Sequence, residues 1–329
     1  MKLPRRRFLR LAASAAAFPV LASVSRAQSY PSRPITMVLP FAPGGPTDTL
    51  SRIIAVRMHE LLGQPVIIEN VTGGAGTLGV GRVARAAADG YTLSVGPFNT
   101  YVLNGAIYNL PFDLLKDFEP VALIANNPSV VVAKKDIPAK DLGELIAWAK
   151  ANSGNLLVGT SGVGAATHVG GILFENLTGT RVQFIPYRGA GPAMQALVAG
   201  QIDVMFDQLS NSLPQIGAGT IKPFALMAKT HAAAAPDIPT VDEAGLPGFY
   251  MPVWHGMWLP KGTPKDIVII LNKTVVDTLA DATVRRRLAE LGQETFARAQ
   301  QTPEALGVFH KAEIEKWWPI VRAANIKVE

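Results

Sequence analysis

The chain of 329 residues contains no cysteine. That absence excludes a disulfide framework, thiol nucleophiles and every thiolate metal site. Charge is sparse too, at 17% of residues, and its net excess is confined to one end. Six of the 31 basic residues, Lys2, Arg5, Arg6, Arg7, Arg10 and Arg26, precede residue 28 with no acid among them. The remaining 25 basic residues face 25 acidic ones, so the formal charge of +6 belongs to the leader and the body is neutral. A nucleic-acid-binding role thereby loses its electrostatic basis. Beyond the leader there is no apolar run long enough to span a bilayer, no tandem repeat and no low-complexity linker. What remains is ordinary globular composition, 48% hydrophobic with 30 glycines, and enough length for two α/β lobes.

The leader itself has the parts of an export signal. Residues 1–10 form a charged region, residues 11–24 an apolar run too short for a membrane anchor, and Ser25-Arg26-Ala27 a small-x-small cleavage site. Arg5-Arg6-Arg7-Phe8-Leu9-Arg10 resembles the twin-arginine motif, with Pro4 where Ser or Thr is usual and Arg10 where Lys is usual. General secretion is the alternative route. Residues 1–27 are thus expected to be removed, leaving a periplasmic protein that is not membrane-embedded.

From residue 35 onward, short β-branched runs alternate with helical patterns, as in parallel sheets covered by helices. Strands are expected at 35–40, 65–69 and 91–95, and helices at 48–62 and about 79–88. After an extended stretch at 121–134 the same grammar restarts, with helices at 142–151, 169–177 and 193–199 and strands at 156–159, 182–186 and 202–206. Another extended run at 221–228 closes this middle segment. The tail supplies helices at 264–279, with Thr263 as expected N-cap, and at 282–291. The expected organisation is a first lobe of residues 28–126 and 227–329 with a second lobe, residues 127–226, inserted into it.

Three Gly-rich turns fall between a strand and a helix, where open parallel sheets bind ligands. The first is Phe41-Ala42-Pro43-Gly44-Gly45-Pro46-Thr47-Asp48. Its glycines let backbone approach a ligand, and the following helix offers unpaired N–H groups to a carboxylate. It reads equally as a turn shaped by Gly44 and Gly45, with Thr47 or Asp48 capping the helix. The second, Gly159-Thr160-Ser161-Gly162-Val163-Gly164-Ala165-Ala166-Thr167-His168, suits a nest of N–H donors around an anion. The third, Tyr187-Arg188-Gly189-Ala190-Gly191-Pro192, holds Arg188, which is either a counter-charge for the ligand or a surface side chain paired with an acid. Asp207, after strand 202–206, is an acceptor for a ligand or for a neighbouring loop. Phe41 and Phe98 are the aromatics expected to wall a cleft, while Trp254, Trp258, Trp317 and Trp318 read as core.

Enzyme signatures are weak. Gly74-Ala75-Gly76-Thr77-Leu78-Gly79 matches G-x-G-x-x-G but lacks the acid about 20 residues on that would hold a ribose. Gly159-Thr160-Ser161-Gly162-Val163 fails G-x-S-x-G at its last position, and Ser161 and His168 are poorly spaced for a nucleophile and base. Histidines 59, 168, 231, 255 and 310 form no i, i+3 or i+4 pair. No catalytic residue, cofactor or metal site is expected.

Six segments, taken together and in order, resemble one family: PFAPGGPTDTLSR at 40–52, VIIENVTGGAGTLGV at 66–80, DGYTL at 89–93, DFEPVALIA at 117–125, GTSGVGAATHVGG at 159–171 and PYRGAGPAMQALVAGQIDVMFD at 186–207. They resemble the Bug family, the TctC-like periplasmic receptors of tripartite tricarboxylate transporters, and PDIPTVDEAG at 236–245 and Pro-Lys-Gly-Thr-Pro at 260–264 extend the match. The resemblance implies a type II periplasmic-binding-protein fold, two doubly wound α/β lobes closing over a small carboxylate and delivering it to membrane permease subunits. It points to Phe41, Gly44, Gly45, Thr47 and Asp48 in the first lobe. In the second it points to Ser161, Gly162, Gly164, Thr167 and His168, with Arg188, Gly189 and Asp207. Phe98 and Thr100 join the ligand-binding candidates. They lie in Gly96-Pro97-Phe98-Asn99-Thr100-Tyr101, which departs from the small residues usual there and leaves open which carboxylate binds. The expectation is a monomeric, non-catalytic receptor; a sensor subunit on the same fold is the alternative.

Overall fold

The computed structural model describes residues 30–323 and 326; the expected leader at 1–27 lies outside the described residues. Strand β1 (Ile35–Leu39) is almost wholly buried and leads through a Gly-rich turn into α1 (Pro46–Leu62). Pro46 occupies the first helical turn, where its missing N–H costs nothing, and Gly63 ends the helix at φ 66°, a conformation that favours glycine. Strand β2 (Val66–Asn70), helix α2 (Thr77–Ala84) and strand β3 (Thr92–Pro97) complete a βαβαβ unit with β1 parallel to both neighbours. A π-helical turn at Asn99–Leu103 runs into α3 (Asn104–Ile107) and then β4 (Phe118–Asn126).

The chain next builds a second sheet. Its elements are β5 (Ser129–Lys134), α4 (Leu142–Ala151), β6 (Leu156–Thr160), α5 (Ala166–Thr178), β7 (Val182–Pro186), α6 (Ala190–Val198), β8 (Val204–Gln208), α7 (Leu209–Gly217) and β9 (Ile221–Leu226). It then returns to the first sheet with β10 (Trp254–Pro260), α8 (Lys265–Ala280), α9 (Ala282–Glu290), β11 (Glu294–Thr295) and α10 (Pro303–Ala323). The strand orders are β11-β4-β10-β3-β1-β2 and β7-β6-β8-β5-β9.

Neither sheet is purely parallel, which corrects the expectation from alternation alone. Strand β10 runs antiparallel to β3 and β4, and β5 antiparallel to β8 and β9. Both are the first strands laid down after the chain changes sheets. A strand that arrives from the other sheet is not tied to its neighbour by a helical crossover, so it escapes the constraint that makes βαβ pairs parallel. Helix starts also shift from expectation: Thr263 does not cap α8, because its hydroxyl donates to the Pro260 carbonyl at 2.8 Å, whereas Asp281 caps α9 through the Thr283 and Val284 N–H groups.

Apolar side chains fill three layers. One lies between the first sheet and helices α1, α8 and α9, with Met37, Ile54 and Leu271 fully buried. One lies under the second sheet, around Val130, Leu197 and Met205. The third runs continuously along both sheets and contains Phe98, Trp254, Trp258 and Trp317 together with Phe174 and Phe206. The two α/β lobes therefore share a core near the points where the chain crosses between sheets.

Candidate functional site

The turns that follow β1, β3, β6, β7 and β8 enclose a cavity of about 10 Å³ lined by Gly45, Thr47, Asp48, Asn99, Ser161, Thr167, Ala190 and Gln208, with Phe41 at its wall. Five helical segments begin at this cavity: α1, the π-helical turn at Asn99, α5, α6 and α7. In four of them, α1, the π-helical turn, α5 and α6, no side chain caps the start. In α7 the Leu209 N–H donates to the Pro128 carbonyl at 2.8 Å and the Ser210 N–H to Asn127 Oδ1 at 3.3 Å, so that helix brings Gln208 rather than free N–H groups. The uncapped N–H groups of those four starts and their positive dipole ends make the cavity attractive to an anion although no lysine or arginine lines it.

Side chains add further donors. Gln208 accepts from Asn127 through Oε1 at 2.9 Å, which leaves its amide N–H₂ for the cavity. Asn99 is buried with no partner for Nδ2. The Ser161 N–H donates to Thr167 Oγ1 at 2.8 Å and the two hydroxyls pair at 2.9 Å, fixing the second Gly-rich turn on the start of α5. Asp48, the one charged lining residue, is already saturated: its carboxylate accepts from the Gly44 N–H, from Asn70 and from two nitrogens of Arg52. Burial pushes its pKa up, but those hydrogen bonds outweigh burial and hold the group below the ordinary carboxylate value. Asp48 therefore orders the first turn rather than repelling an anion.

A wider groove of about 570 Å³ adjoins the cavity, sharing Phe41, Ala42 and Ser161 with it and adding Gly162, the exposed Arg188 and the backbone of residues 73–76. The groove's two sides touch. The Ala42 N–H donates to the Arg188 carbonyl at 3.2 Å, and Tyr108 donates its hydroxyl to the Val163 carbonyl. Gly189 packs so closely that a Cβ there would lie 3.2 Å from the Ala42 nitrogen. The lobes are closed on each other.

Seven candidates line neither space: Gly44 and Gly189 sit where the lobes touch, and Phe98, Thr100, Gly164, His168 and Asp207 fall elsewhere. Phe98 is fully buried with ring centroids 5.2 Å from Trp317 and 6.0 Å from Trp254, so it is core and does not wall the cleft. Thr100 turns its hydroxyl to the Pro97 carbonyl at 2.8 Å and lines neither space. His168 accepts from the Gly164 N–H at 3.1 Å and meets Phe184 edge-on, so with Gly164 it shapes the turn; burial lowers its pKa to about 4. It makes no hydrogen bond to Ser161, whose hydroxyl pairs with Thr167. Asp207 is fully buried inside the second lobe, accepting from Asn211 and Ser212. Alternation along β8 explains the last placement: Asp207 faces away from the cavity and Gln208 towards it.

The converse omissions are Asn99, Gln208 and the loop 73–76. That loop holds four consecutive positive φ angles, including 49° at the non-glycine Ala75. It follows β2 and precedes α2, the same strand-to-helix placement that marks the other Gly-rich turns as ligand-binding, and its G-x-G-x-x-G pattern reflects that placement rather than a dinucleotide site.

A family model described as the tripartite tricarboxylate transporter family receptor matches residues 50–326. The chain belongs to this family. The receptor is 38% identical over 307 residues to a protein of Agrobacterium vitis encoded in the TAR-I ttuE-ttuC' intergenic region, covering 93% of this chain and 89% of that one. Among solved structures it is similar to the periplasmic binding protein BugD, with TM-score 0.88, 36% identity, and coverage of 91% and 100% of the two chains. It is also similar to MatC from Rhodopseudomonas palustris with bound malate, with TM-score 0.86, 41% identity and coverage of 89% and 100%. The Bug/TctC family comprises solute-binding receptors rather than enzymes, and the type II periplasmic-binding-protein fold is shared across these relatives. Among the described residues, no helix is long and apolar enough to cross a membrane.

Proposed function

We propose that this receptor works in the periplasm as a monomer, captures a small carboxylate between its lobes and delivers it to the membrane permease subunits of a tripartite tricarboxylate-type transporter. The observation that carries the proposal is the convergence of four uncapped helix starts on one cavity that no cationic side chain lines. Such a site recognises a carboxylate by fixed N–H dipoles. Malate bound to MatC supports the same ligand class here.

A cavity of about 10 Å³ holds roughly one water, so a carboxylate enters only when the lobes part. Residues 127–128 and those just after Leu226, where the chain changes sheets, serve as the hinges, with residues 28–126 and 227–329 as one lobe and 127–226 as the other. Thr47, Asn99, Ser161, Thr167 and Gln208 hold the ligand together with the backbone of Gly45, while Gly44, whose N–H is given to Asp48, shapes the turn. Phe41, Gly162, Gly189 and Arg188 form the entrance.

The test is thermal unfolding of the chain from residue 28, purified under denaturant and refolded to remove carried-over ligand, against malate, succinate, citrate, adipate, nicotinate, aspartate and their amides. A carboxylate at about 1,000 times its dissociation constant stabilises the fold by roughly 4 kcal/mol. Stabilisation by one or more carboxylates but not by their amides is the expected result. Equal effects of acid and amide, or none from any acid, would overturn the assignment of ligand class.

A further inference from the structure

His255 lies in the middle strand β10, fully buried, directly behind the start of α1. It is 208 residues away from Thr47 in sequence, yet its Nε2 lies 3.1 Å from the Thr47 hydroxyl oxygen. Its other ring nitrogen, Nδ1, is buried without a partner. Burial pushes the imidazole pKa down to about 3, so the ring is neutral and carries one N–H.

Two arrangements are chemically possible. With the proton on Nδ1, a buried N–H is orphaned and Thr47 must donate to Nε2, leaving only lone pairs towards the cavity. With the proton on Nε2, the ring donates to Thr47 Oγ1 and the hydroxyl hydrogen is free. Orphaned buried N–H groups are the rarer fault in folded proteins, so the second arrangement is favoured. We infer that His255 is a positioning residue that holds the Thr47 hydroxyl as a hydrogen-bond donor to the cavity, biasing the site towards acceptor-only groups such as carboxylates and against amides and ammonium groups. Gln208, whose carbonyl oxygen is occupied by Asn127, and Asn99, with its free Nδ2, present donors to the same space. The three side chains thus agree in polarity.

The selectivity part of this inference rests on the carboxylate-receptor assignment; the proton's position does not. Long-range ¹H–¹⁵N correlation of ¹⁵N-histidine-labelled protein, with His255 assigned from its loss in His255→Gln, reads the tautomer directly. An Nε2–H tautomer is expected, and an Nδ1–H tautomer would overturn the inference whatever the protein binds. Calorimetric titration with L-malate, or with whichever acid stabilises the protein most in the unfolding panel, then tests the consequence. Thr47→Val and His255→Leu are each expected to weaken binding tenfold or more, the scale of one lost hydrogen bond to a charged group. His255→Gln, whose amide N–H occupies the place of Nε2–H, is expected to recover affinity to within about threefold. In the Thr47→Val background, His255→Leu should cost almost nothing further. Additive losses, or a His255→Gln variant that folds yet binds as poorly as His255→Leu, would show that the histidine acts only as packing.

Discussion

Gly191 and Gly44 meet backbone to backbone across the cleft: a Cβ placed on Gly191 would lie 2.9 Å from the Gly44 carbonyl carbon and 3.1 Å from its oxygen. No side chain can swing away to relieve that contact, because both partners are main chain. Closure of the lobes is therefore written into one missing methyl group.

Replacing Gly191 by Ala should separate folding from closure. Gly191 lies inside α6, where alanine is favoured over glycine by about 1 kcal/mol, so the second lobe should be no less stable. Closure, however, would require backbone to move. L-malate affinity is expected to fall at least tenfold, and small-angle scattering with malate present should show a more open particle than the unsubstituted protein. Gly45, which the sequence marks just as strongly, is the milder site: its φ of −87° suits any residue, and an added Cβ would lie no closer than 3.4 Å to a neighbour. Unchanged affinity in Gly191→Ala would mean that the bound state is not closed at this contact.

Asn99 makes the opposite prediction about stability. Its Nδ2 is buried without a partner, so Asn99→Ala removes an unsatisfied group and should leave the ligand-free melting temperature unchanged or slightly raised. Affinity for a carboxylate should still drop about tenfold if that amide is a ligand donor. A variant that melts earlier and binds normally would reassign Asn99 to the scaffold.

These two residues also mark what the sequence could and could not disclose. Alternation of β-branched runs with helical periods is local, and it located the strand-to-helix turns correctly because glycine, proline and hydroxyl residues announce them. Burial is not local. Phe98 and Asn99 are adjacent in one turn after β3, yet the first packs against Trp317, more than two hundred residues away, and only the second reaches the cavity. Asp207 and Gln208 repeat the lesson, since a one-residue uncertainty in a strand exchanges its two faces. His255 carried no signal at all: a lone histidine in an apolar strand becomes legible only when β10 is seen to insert between β3 and β4 behind Thr47.

Acid should weaken the fold through its histidines. Burial lowers the pKa of His168 and His310 to about 4 and that of His255 to about 3, against an ordinary value of 6.5. Between those limits the unfolded chain binds more protons than the folded one, so stability is complete above pH 6.5 and is lost as pH falls towards 4. Each histidine costs on the order of 2 kcal/mol at pH 5. Urea unfolding at pH 7 and pH 5 should show a clear loss, reduced in His310→Gln. Equal midpoints at the two pH values would contradict the burial of these rings.

Asp207 should act in the reverse sense, and a difference measurement isolates it. Its Oδ2 accepts from Asn211 at 2.7 Å and Ser212 at 2.8 Å, but Oδ1 is buried without a partner. Burial raises the carboxyl pKa from 3.8 to about 6, because the two donors do not compensate for lost hydration. Between pH 3.8 and 6 the folded state binds more protons than the unfolded chain, so this residue's contribution to stability declines as pH rises through that window. Asp207→Asn removes the titration while keeping a carbonyl oxygen for Asn211 and Ser212. Relative to the unsubstituted protein, the variant should gain about 2 kcal/mol between pH 4.5 and 7, with the histidine effect cancelling because both proteins share it. Urea unfolding of the pair across that range supplies the measurement, and a difference that does not change with pH would show that the carboxyl is solvated or paired.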